Sequence, residues 1–355
     1  MFTAAWAGRI VAAGVALASG AALFLFLYNR WLLLMRDGYR KHIVTRTLIA
    51  LFAVAPTLGG LWLGPGPWLA APVGVLVLFL IGELRRVDLR SQCRGAGPVA
   101  ESGPPVSLRR PFTTLDLHVR RYTLPLPGWT GERFRIVHLS DFHLNRMLPA
   151  DYYARTMRQA VDCEPDIVLL TGDFVSETRH IPLLPPVLQH LRAPSGVFAS
   201  LGNHDFWTDP AAVRDALEQA GVTLLGNLEQ RVRRPGGGAI VLSGCEDPWN
   251  PAPWHAPSLR RGDVLVVLSH TADNIYRLNA AGANVVFAGH YHAGQLVVPG
   301  IGPLAIPSRY GRRFDHGHYL VDGSHLYISA GMGVHFPPVR LYCPPDLLVV
   351  DLCRA

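Results

Sequence analysis

The stretch of sequence that decides the fold is Phe134-Arg135-Ile136-Val137-His138-Leu139-Ser140-Asp141-Phe142-His143. Its first six residues form a short, mostly apolar run of the kind that predicts a buried β-strand, and polar residues follow directly. Similar runs at residues 166–170, 197–201, 264–268 and 285–288 also predict strands. Helical patterns at residues 152–163, 211–220 and 272–281 lie between several of them. This alternation predicts an α/β core with some parallel strand pairing.

Polar residues capable of binding metal stand at the end of each predicted strand. They are Ser140-Asp141-Phe142-His143, Gly172-Asp173, Gly202-Asn203-His204-Asp205, Ser269-His270 and Gly289-His290-Tyr291-His292. In open α/β sheets ligands bind outside the carboxyl ends of the strands, so we expect these five ends to converge. Because side chains alternate along an extended segment, the Asp-x-His and His-x-His pairs are each expected to place two ligands on one side.

The donors are carboxylates, imidazoles and one carboxamide, namely Asp141, His143, Asp173, Asn203, His270, His290 and His292. This mixture suits Mn²⁺, Fe²⁺, Zn²⁺, Co²⁺ or Ni²⁺ rather than metals that prefer thiolates. Seven donors are too many for one ion and fill two sites if one carboxylate bridges. We therefore expect two divalent metal ions, with Mn²⁺ favoured and the identity left open.

In their order, these motifs resemble the calcineurin-like metallophosphoesterase superfamily, whose pattern is D-x-H, G-D, G-N-H-[D/E], H and G-H-x-H. The resemblance extends from about Val106 to the C-terminus. It is strongest to bacterial membrane-associated phosphodiesterases with a G-H-x-H-G-G-Q block, which here reads Gly289-His290-Tyr291-His292-Ala293-Gly294-Gln295. Ala293 departs from that block without removing a ligand. Ser176 occupies the position of the tyrosine ligand of purple acid phosphatases, which argues against a ferric-tyrosinate site.

The resemblance implies a two-sheet metallophosphoesterase sandwich flanked by helices. It also implies that Asp141, His143 and His292 hold the first metal, that Asp173 bridges, and that Asn203, His270 and His290 hold the second. His204 then faces the scissile phosphate as general acid or charge stabiliser, and Asp205 could orient its ring. Two ions about 3.5–4 Å apart can hold a bridging hydroxide that attacks a phosphodiester or pyrophosphate bond.

An N-terminal helical membrane region is predicted at residues 1–90, followed by a linker at 91–105 and the catalytic domain at 106–355. Uncharged stretches predict spans at about 10–28, 47–63 and 68–82. The first is about long enough to cross a bilayer, and the other two are near the short limit for spanning. The last two are separated by Gly64-Pro65-Gly66-Pro67, which is typical of a tight turn between helices. A re-entrant hairpin, or a buried hairpin in a soluble protein, are the alternatives.

Basic residues flank these spans at Arg30, Arg36, Arg40, Lys41 and Arg46 and again at Arg85, Arg86 and Arg90. Basic flanks favour the cytoplasmic side, so three spans place the N-terminus outside and the catalytic domain in the cytoplasm, at the inner membrane. The flanking arginines account for much of the net charge of +7, which favours membrane lipids as partners. Five scattered cysteines fit a reducing compartment rather than a disulfide framework or a zinc knuckle.

The membrane region favours a lipid-linked phosphate substrate, because confinement to the bilayer raises the effective concentration of a lipid. The family resemblance suggests a UDP-2,3-diacylglucosamine-type pyrophosphate as a specific candidate, because some members of the family cleave such a lipid. A nuclease or nucleotide phosphodiesterase is one alternative, although no aromatic and basic platform for single strands is recognisable and no nucleic-acid partner is expected. A non-catalytic metal-binding scaffold is the other, and it is disfavoured because every ligand of the motif set is present.

Overall fold

The computed structural model describes residues 2–36, 38–145, 147–233, 236–335 and 337–355. The chain divides into two compact units, and the division is not a single cut along the sequence. The first, here called the helical unit, contains Met1–Gln92 together with Leu304–Phe314. The second, the α/β unit, contains Cys93–Pro303 and Asp315–Ala355. The sequence did not predict that residues 304–314 belong with the N-terminal helices.

The helical unit consists of long apolar helices. Helix α1 (Phe2–Leu27) continues into a π-helical turn at Tyr28–Leu32, and α2 (Tyr39–Ile49) runs through a second such turn into α3 (Ala55–Leu63). Gly64, at φ 71°, ends α3, and a 3₁₀ turn at Pro67–Leu69 leads into α4 (Ala70–Cys93). Within the described residues, Ala4–Leu32, Tyr39–Leu63 and Pro67–Cys93 are each long and apolar enough to cross a membrane. The predicted spans lie inside these three segments.

The first sheet of the α/β unit contains β1 (Ala100–Ser102), β2 (His118–Leu126), β3 (Phe134–Leu139), β4 (Ile167–Leu170), β5 (Val197–Ala199), β6 (Thr223–Leu224) and β15 (Asp346–Arg354). Their order across the sheet is β1-β2-β15-β3-β4-β5-β6. Strands β3 to β6 are parallel, whereas β15 runs antiparallel to β3 and parallel to β2. The sheet is therefore mixed, with its parallel half at β3 to β6.

The second sheet contains β7 (Glu229–Arg233), β8 (Ala239–Cys245), β9 (Val264–Ser269), β10 (Val285–Ala288), β13 (Gly317–Val321) and β14 (Ser324–Ile328). Their order is β13-β14-β10-β9-β8-β7, with β8, β9, β10 and β14 parallel. A separate pair is formed by β11 (Val297–Val298) and β12 (Gly302–Pro303).

Both faces of the central strands are buried. In β3, Ile136 belongs to the core between the two sheets together with Phe287 of β10, while Val137 belongs to the core beneath the helices. This explains the continuous apolar runs, since a strand covered on both sides needs no polar face. The prediction of a two-sheet α/β sandwich, flanked by helices and preceded by apolar helices, is confirmed.

The remaining helices are α5 (Ala150–Asp162), α6 (Leu184–Leu188), α7 (Asn203–Thr208), α8 (Pro210–Gln219) and α9 (Ile275–Ala280). Helix α5 contributes Tyr153, Met157 and Ala160 to the core beneath the helices. Their spacing of four and three residues places them on one face of the helix. Asp209 caps α8 by accepting a hydrogen bond from the Ala212 N–H, and Pro210 stands at its first position.

The linker predicted at 91–105 is partly folded. Helix α4 extends to Cys93, and β1 pairs antiparallel with β2 at the sheet edge. Glu101 accepts a hydrogen bond from Arg120 Nε at 3.0 Å and lies 2.6 Å from His118 Nδ1. The linker interpretation is wrong for these residues, because backbone pairing and charge contacts order a strand that has no apolar period.

Candidate metal centre

The predicted ligands lie at the carboxyl ends of strands from both sheets. Asp141 and His143 follow β3, Asp173 follows β4, and Asn203 begins α7 just after β5. From the second sheet, His270 follows β9, and His290 and His292 follow β10. All seven side chains are buried, and even the most accessible, His292, is only 9% exposed.

The ligands are presented by sharp turns rather than by extended segments. Asp141, His143, Asp173, His290 and His292 have φ between 41° and 68°. The expectation that Asp-x-His and His-x-His act as extended pairs is therefore wrong in its geometry. Residues other than glycine rarely adopt this left-handed backbone conformation, which costs about 1–3 kcal/mol per residue. Such residues cluster at functional sites.

The described residues include three clusters in which ligand atoms lie within 4.8 Å of one another. They are Asp141 with His143 and His292, His143 with Asp173 and His204, and Asp173 with His270 and His290. Asn203 adjoins the third cluster, with Oδ1 3.1 Å from His270 Nε2. The structure thus brings together all seven expected ligands, with His204 beside them.

Distances inside the clusters place Asp173 at the middle of the centre. Asp173 Oδ2 lies 3.5 Å from His143 Nε2 and 3.2 Å from His270 Nε2. On the other side of His143, the Nε2 atoms of His143 and His292 are 3.0 Å apart. His292 Nε2 is also 3.4 Å from Asp141 Oδ1. A carboxylate between two groups of imidazoles has the position that a bridging ligand requires.

Neighbouring polar atoms fix the orientation of the histidine rings. His143 Nδ1 lies 2.7 Å from Ser176 Oγ, and His270 Nδ1 lies 2.6 Å from the Thr171 carbonyl oxygen, to which it donates. Both contacts leave Nε2 facing the centre. Such outer contacts are typical of metal-binding histidines, because they fix the ring and its tautomer. This role of Ser176 was not predictable from the sequence motifs.

Two glycines of the motifs are required by close packing against ligands. A Cβ added to Gly289 would lie 1.9 Å from Ser140 Oγ and 2.2 Å from Asp141 Oδ2. A Cβ at Gly202 would lie 2.3 Å from Asp173 Oδ1. These approaches are far below van der Waals contact, so the glycines of the G-H-x-H and G-N-H motifs make room for the carboxylates.

Burial and charge set the protonation of the centre. Burial lowers the pKa of His143 and of His292 well below the usual range, which keeps both imidazoles neutral. Burial disfavours the charge of Asp173, yet His270 and His204 hold its pKa well below the usual range. Burial also opposes the charge of His270, but the Asp173 carboxylate raises the pKa of that imidazole to about 9. Positive charge is therefore stabilised beside Asp173.

The donor chemistry fits divalent metal ions. Asp141, Asp173 and Asp205 are each 2% exposed or less, and buried carboxylates are costly unless cations or hydrogen bonds compensate them. Neutral imidazoles whose inner nitrogens converge on carboxylate oxygens supply the mixture that borderline metals prefer.

Asp205 has a different role from the one predicted. Its carboxylate accepts hydrogen bonds from the backbone N–H groups of Gly202, Asp173, Phe174 and Val175. It therefore holds the turn that carries Asp173 against the start of α7. The prediction that it orients the His204 ring is wrong, because its two oxygens are directed to these amides.

His204 is partly exposed and lies among other rings beside the ligands. Its ring centroid is 4.8 Å from that of His143, 5.0 Å from Trp207 and 5.1 Å from His335. Trp249 packs against His270 and His290 at 5.5 and 5.3 Å. Sequence reasoning missed His335. The only available signal was its position two residues after the Gly331-Met332-Gly333 turn.

Buried Arg340 and Gln295 hold the loop that carries His335. Arg340 Nη2 donates to the carbonyl oxygens of Ala330 and Gly333 at 2.8 and 2.7 Å and lies 3.3 Å from His292 Nδ1. Gln295 Nε2 donates to the His335 carbonyl oxygen at 2.9 Å, and its Oε1 accepts from the His335 N–H at 2.9 Å. The glutamine of the G-H-x-H-x-G-Q segment thus positions a loop of the site.

The fold and this centre define a metal-dependent phosphoester hydrolase, and comparison with known families agrees. The sequence profile of the calcineurin-like phosphoesterase family matches residues 134–294, which include every predicted ligand. The chain therefore contains a calcineurin-like metallophosphoesterase domain, as its motifs predicted.

Individual relatives carry the same description. The chain is 28% identical over 242 residues to the uncharacterised metallophosphoesterase YkuE of Bacillus subtilis, a match covering 66% of this chain and 84% of that protein. It is 28% identical over 228 residues to the phosphodiesterase YaeI of Escherichia coli, covering 62% and 82%. An uncharacterised metallophosphoesterase of Aquifex aeolicus is 28% identical over 251 residues, covering 67% and 93%.

Proposed function

We propose that the protein hydrolyses a phosphodiester or pyrophosphate bond in a lipid-linked substrate at the cytoplasmic face of the inner membrane. The observation that carries this proposal is that the described part of the chain contains both a phosphoesterase centre and three helices that are apolar enough to cross a membrane. An enzyme held at the bilayer meets a lipid substrate at high effective concentration, whereas a soluble nucleotide gains nothing from the anchor.

The proposed ligand assignment follows the clusters. Asp141, His143 and His292 would hold one divalent ion, and Asn203, His270 and His290 would hold another, with Asp173 shared between them. Bound ions of this kind activate water at neutral pH and polarise the phosphoryl group. We propose Mn²⁺ as the first ion with which to load the protein.

The roles of the remaining residues follow from their position. His204 belongs to the cluster with His143 and Asp173, but in the proposed assignment it coordinates neither ion. It would donate a proton to the leaving oxygen, a step that contributes typically about 10²–10⁴-fold to the rate. His335, whose ring lies beside His204, would bind a non-bridging phosphate oxygen or assist that proton transfer.

A substrate panel tests the proposal directly. Full-length protein loaded with Mn²⁺ is assayed against a UDP-2,3-diacylglucosamine-type pyrophosphate, a phospholipid, a soluble diester and single-stranded DNA. We expect the highest kcat/KM with one of the two lipids. Faster cleavage of DNA, with binding that weakens steeply as salt rises, would instead identify a nuclease.

The Asp173→Asn variant tests the metal centre itself. Loss of the shared carboxylate charge is expected to abolish turnover and to lower the bound metal measured by elemental analysis. Asp322→Asn is the matched control, because Asp322 is exposed and has a similar left-handed backbone, with φ 48° against 55° for Asp173. Full turnover in Asp173→Asn would contradict the role assigned to this carboxylate, whereas a non-catalytic scaffold would show no turnover in either protein.

A further inference from the structure

A cavity of about 300 Å³ lies within the helical unit, between α1, α4 and residues 304–314. Its wall is apolar along one part and charged along another. The apolar part includes Leu23, Phe26, Val75, Leu78 and Phe79. The charged part consists of Arg30, Glu83, Arg86 and Arg312, with Asn29 beside them.

The charged part is held in place by specific contacts. Glu83 Oε2 accepts a hydrogen bond from Arg86 Nε at 2.8 Å and also pairs with Arg312 Nη2. Arg86 Nη1 donates to the Arg312 carbonyl oxygen at 3.3 Å. These side chains are only 12–28% exposed.

Asn29 secures the residues that bring Arg312 to the cavity. Its Oδ1 accepts from the Ile306 N–H at 2.6 Å, and its Nδ2 lies 3.2 Å from the Leu304 carbonyl oxygen. Asn29 is 5% exposed, and Ile306 is fully buried. A buried amide in an otherwise apolar helix is thus explained by its hydrogen bonds to the inserted segment. Specific hydrogen bonds therefore hold the residues that form the wall of this cavity.

The charges of the cavity are not balanced. Among the described residues that line the cavity, the Glu83 carboxylate faces three guanidinium groups, those of Arg30, Arg86 and Arg312. The Arg30 guanidinium packs over the Phe26 ring at 4.2 Å. Excess positive charge next to apolar surface is costly unless an anion compensates it. Guanidinium groups match phosphate oxygens in geometry as well as in charge.

We propose that this cavity binds one anionic phospholipid, with its phosphate at Arg30 and Arg312 and an acyl chain along Phe26 and Leu78. Both parts of the wall are needed for such a ligand, because the apolar part accepts hydrocarbon and the charged part accepts the headgroup. This site is separate from the phosphoesterase proposal. It requires no turnover and uses none of the residues assigned to the metal centre.

Spin-labelled lipids in phosphatidylcholine vesicles test the proposal on the full-length protein. We expect more immobilised phosphatidylglycerol than phosphatidylcholine label. The double variant Arg30→Gln/Arg312→Gln should reduce this preference about thirtyfold, since each arginine near a headgroup contributes about 1 kcal/mol. Arg46→Gln is the matched control, because Arg46 is an exposed arginine of the same unit that does not line the cavity.

A second variant keeps Arg30 and Arg312 unchanged. It tests the cavity even if the double arginine variant fails to fold. Gly82 lines the cavity, and a Cβ added there meets nothing within 4 Å. Gly82→Leu should fill the cavity and remove the preference for phosphatidylglycerol. Equal immobilisation of both lipids in the unaltered protein, or an Arg46→Gln effect as large as that of the double variant, would overturn the proposal. Displacement of the label by inorganic phosphate would overturn the assignment to a lipid.

Discussion

At the scale of single residues, the centre depends on which nitrogen of each histidine faces inward. Ser176 and the Thr171 carbonyl oxygen contact the Nδ1 atoms of His143 and His270, so that Nε2 is the atom offered to the ions. Outer contacts of this type typically change metal affinity about 10–100-fold when they are removed. We therefore expect the metal affinity of the centre to depend on Ser176 and Thr171 as well as on the ligands themselves.

His335 is expected to affect turnover without holding metal. In His335→Gln we predict a fall in kcat with bound metal unchanged, because the ring lies beside His204 and outside the ligand clusters. Steady-state kinetics and elemental analysis on the same preparation check both parts. His190→Gln serves as control, since His190 is exposed. A variant that loses metal in proportion to activity would show a structural role instead.

Ala293 offers a stability prediction at one backbone position. Its φ of 49° is unfavourable for alanine and acceptable for glycine. Ala293→Gly should stabilise the α/β unit by about 1 kcal/mol, which raises its Tm by about 2–4 °C. Ala288→Gly, in the middle of the second sheet, should lower Tm. If Ala293→Gly lowers Tm as well, backbone strain at this position is not the controlling factor.

At the scale of secondary-structure elements, Asp346 connects the two sheets. It begins β15 in the first sheet, where its Oδ2 accepts from Arg120 Nη1 at 2.7 Å. Its Oδ1 accepts from Ser329 Oγ and the Ala330 N–H, which follow β14 of the second sheet, at 2.7 and 2.8 Å. The side chain is fully buried.

Asp346→Asn should therefore destabilise the α/β unit strongly. Breaking a buried ion pair by removing one partner costs about 3–5 kcal/mol, because the other charge stays buried. Glu101→Gln removes the other carboxylate on Arg120, but this carboxylate is 38% exposed and should contribute less than about 1 kcal/mol. Urea unfolding followed by tryptophan fluorescence measures both. Equal effects would mean that the Arg120–Asp346 pair adds no more than a surface contact.

The strands that carry ligands could be predicted because their information is local. Each is an apolar run followed directly by polar residues. In β3, for example, the run ends at Leu139, and Ser140 and Asp141 follow it. Strand β15 was not predicted, because it pairs with β2 and β3 across more than two hundred residues. The role of Asp205 was also hidden, since its partners are backbone amides, which carry no sequence signature. His335 joins the site only through folding of the loop held by Gln295.

At the scale of the whole molecule, the basic flanks of the helices are expected to decide sidedness. We predict that green fluorescent protein fused after Ala355 fluoresces and that alkaline phosphatase at the same position is inactive, since basic flanks remain cytoplasmic. The same two reporters fused before Met1 should give the opposite result. Periplasmic phosphatase activity from the C-terminal fusion would contradict the proposed orientation.

The chain passes between its two units three times, after Gln92, after Pro303 and after Phe314. A protein begun at residue 93 would still contain Leu304–Phe314, but it would lack Asn29, which binds the Ile306 N–H, and the other helices of the same unit. That segment would present apolar and arginine side chains to water and promote aggregation. We therefore expect a soluble form of the α/β unit to need two changes, removal of the first 92 residues and replacement of residues 304–314 by a short polar loop.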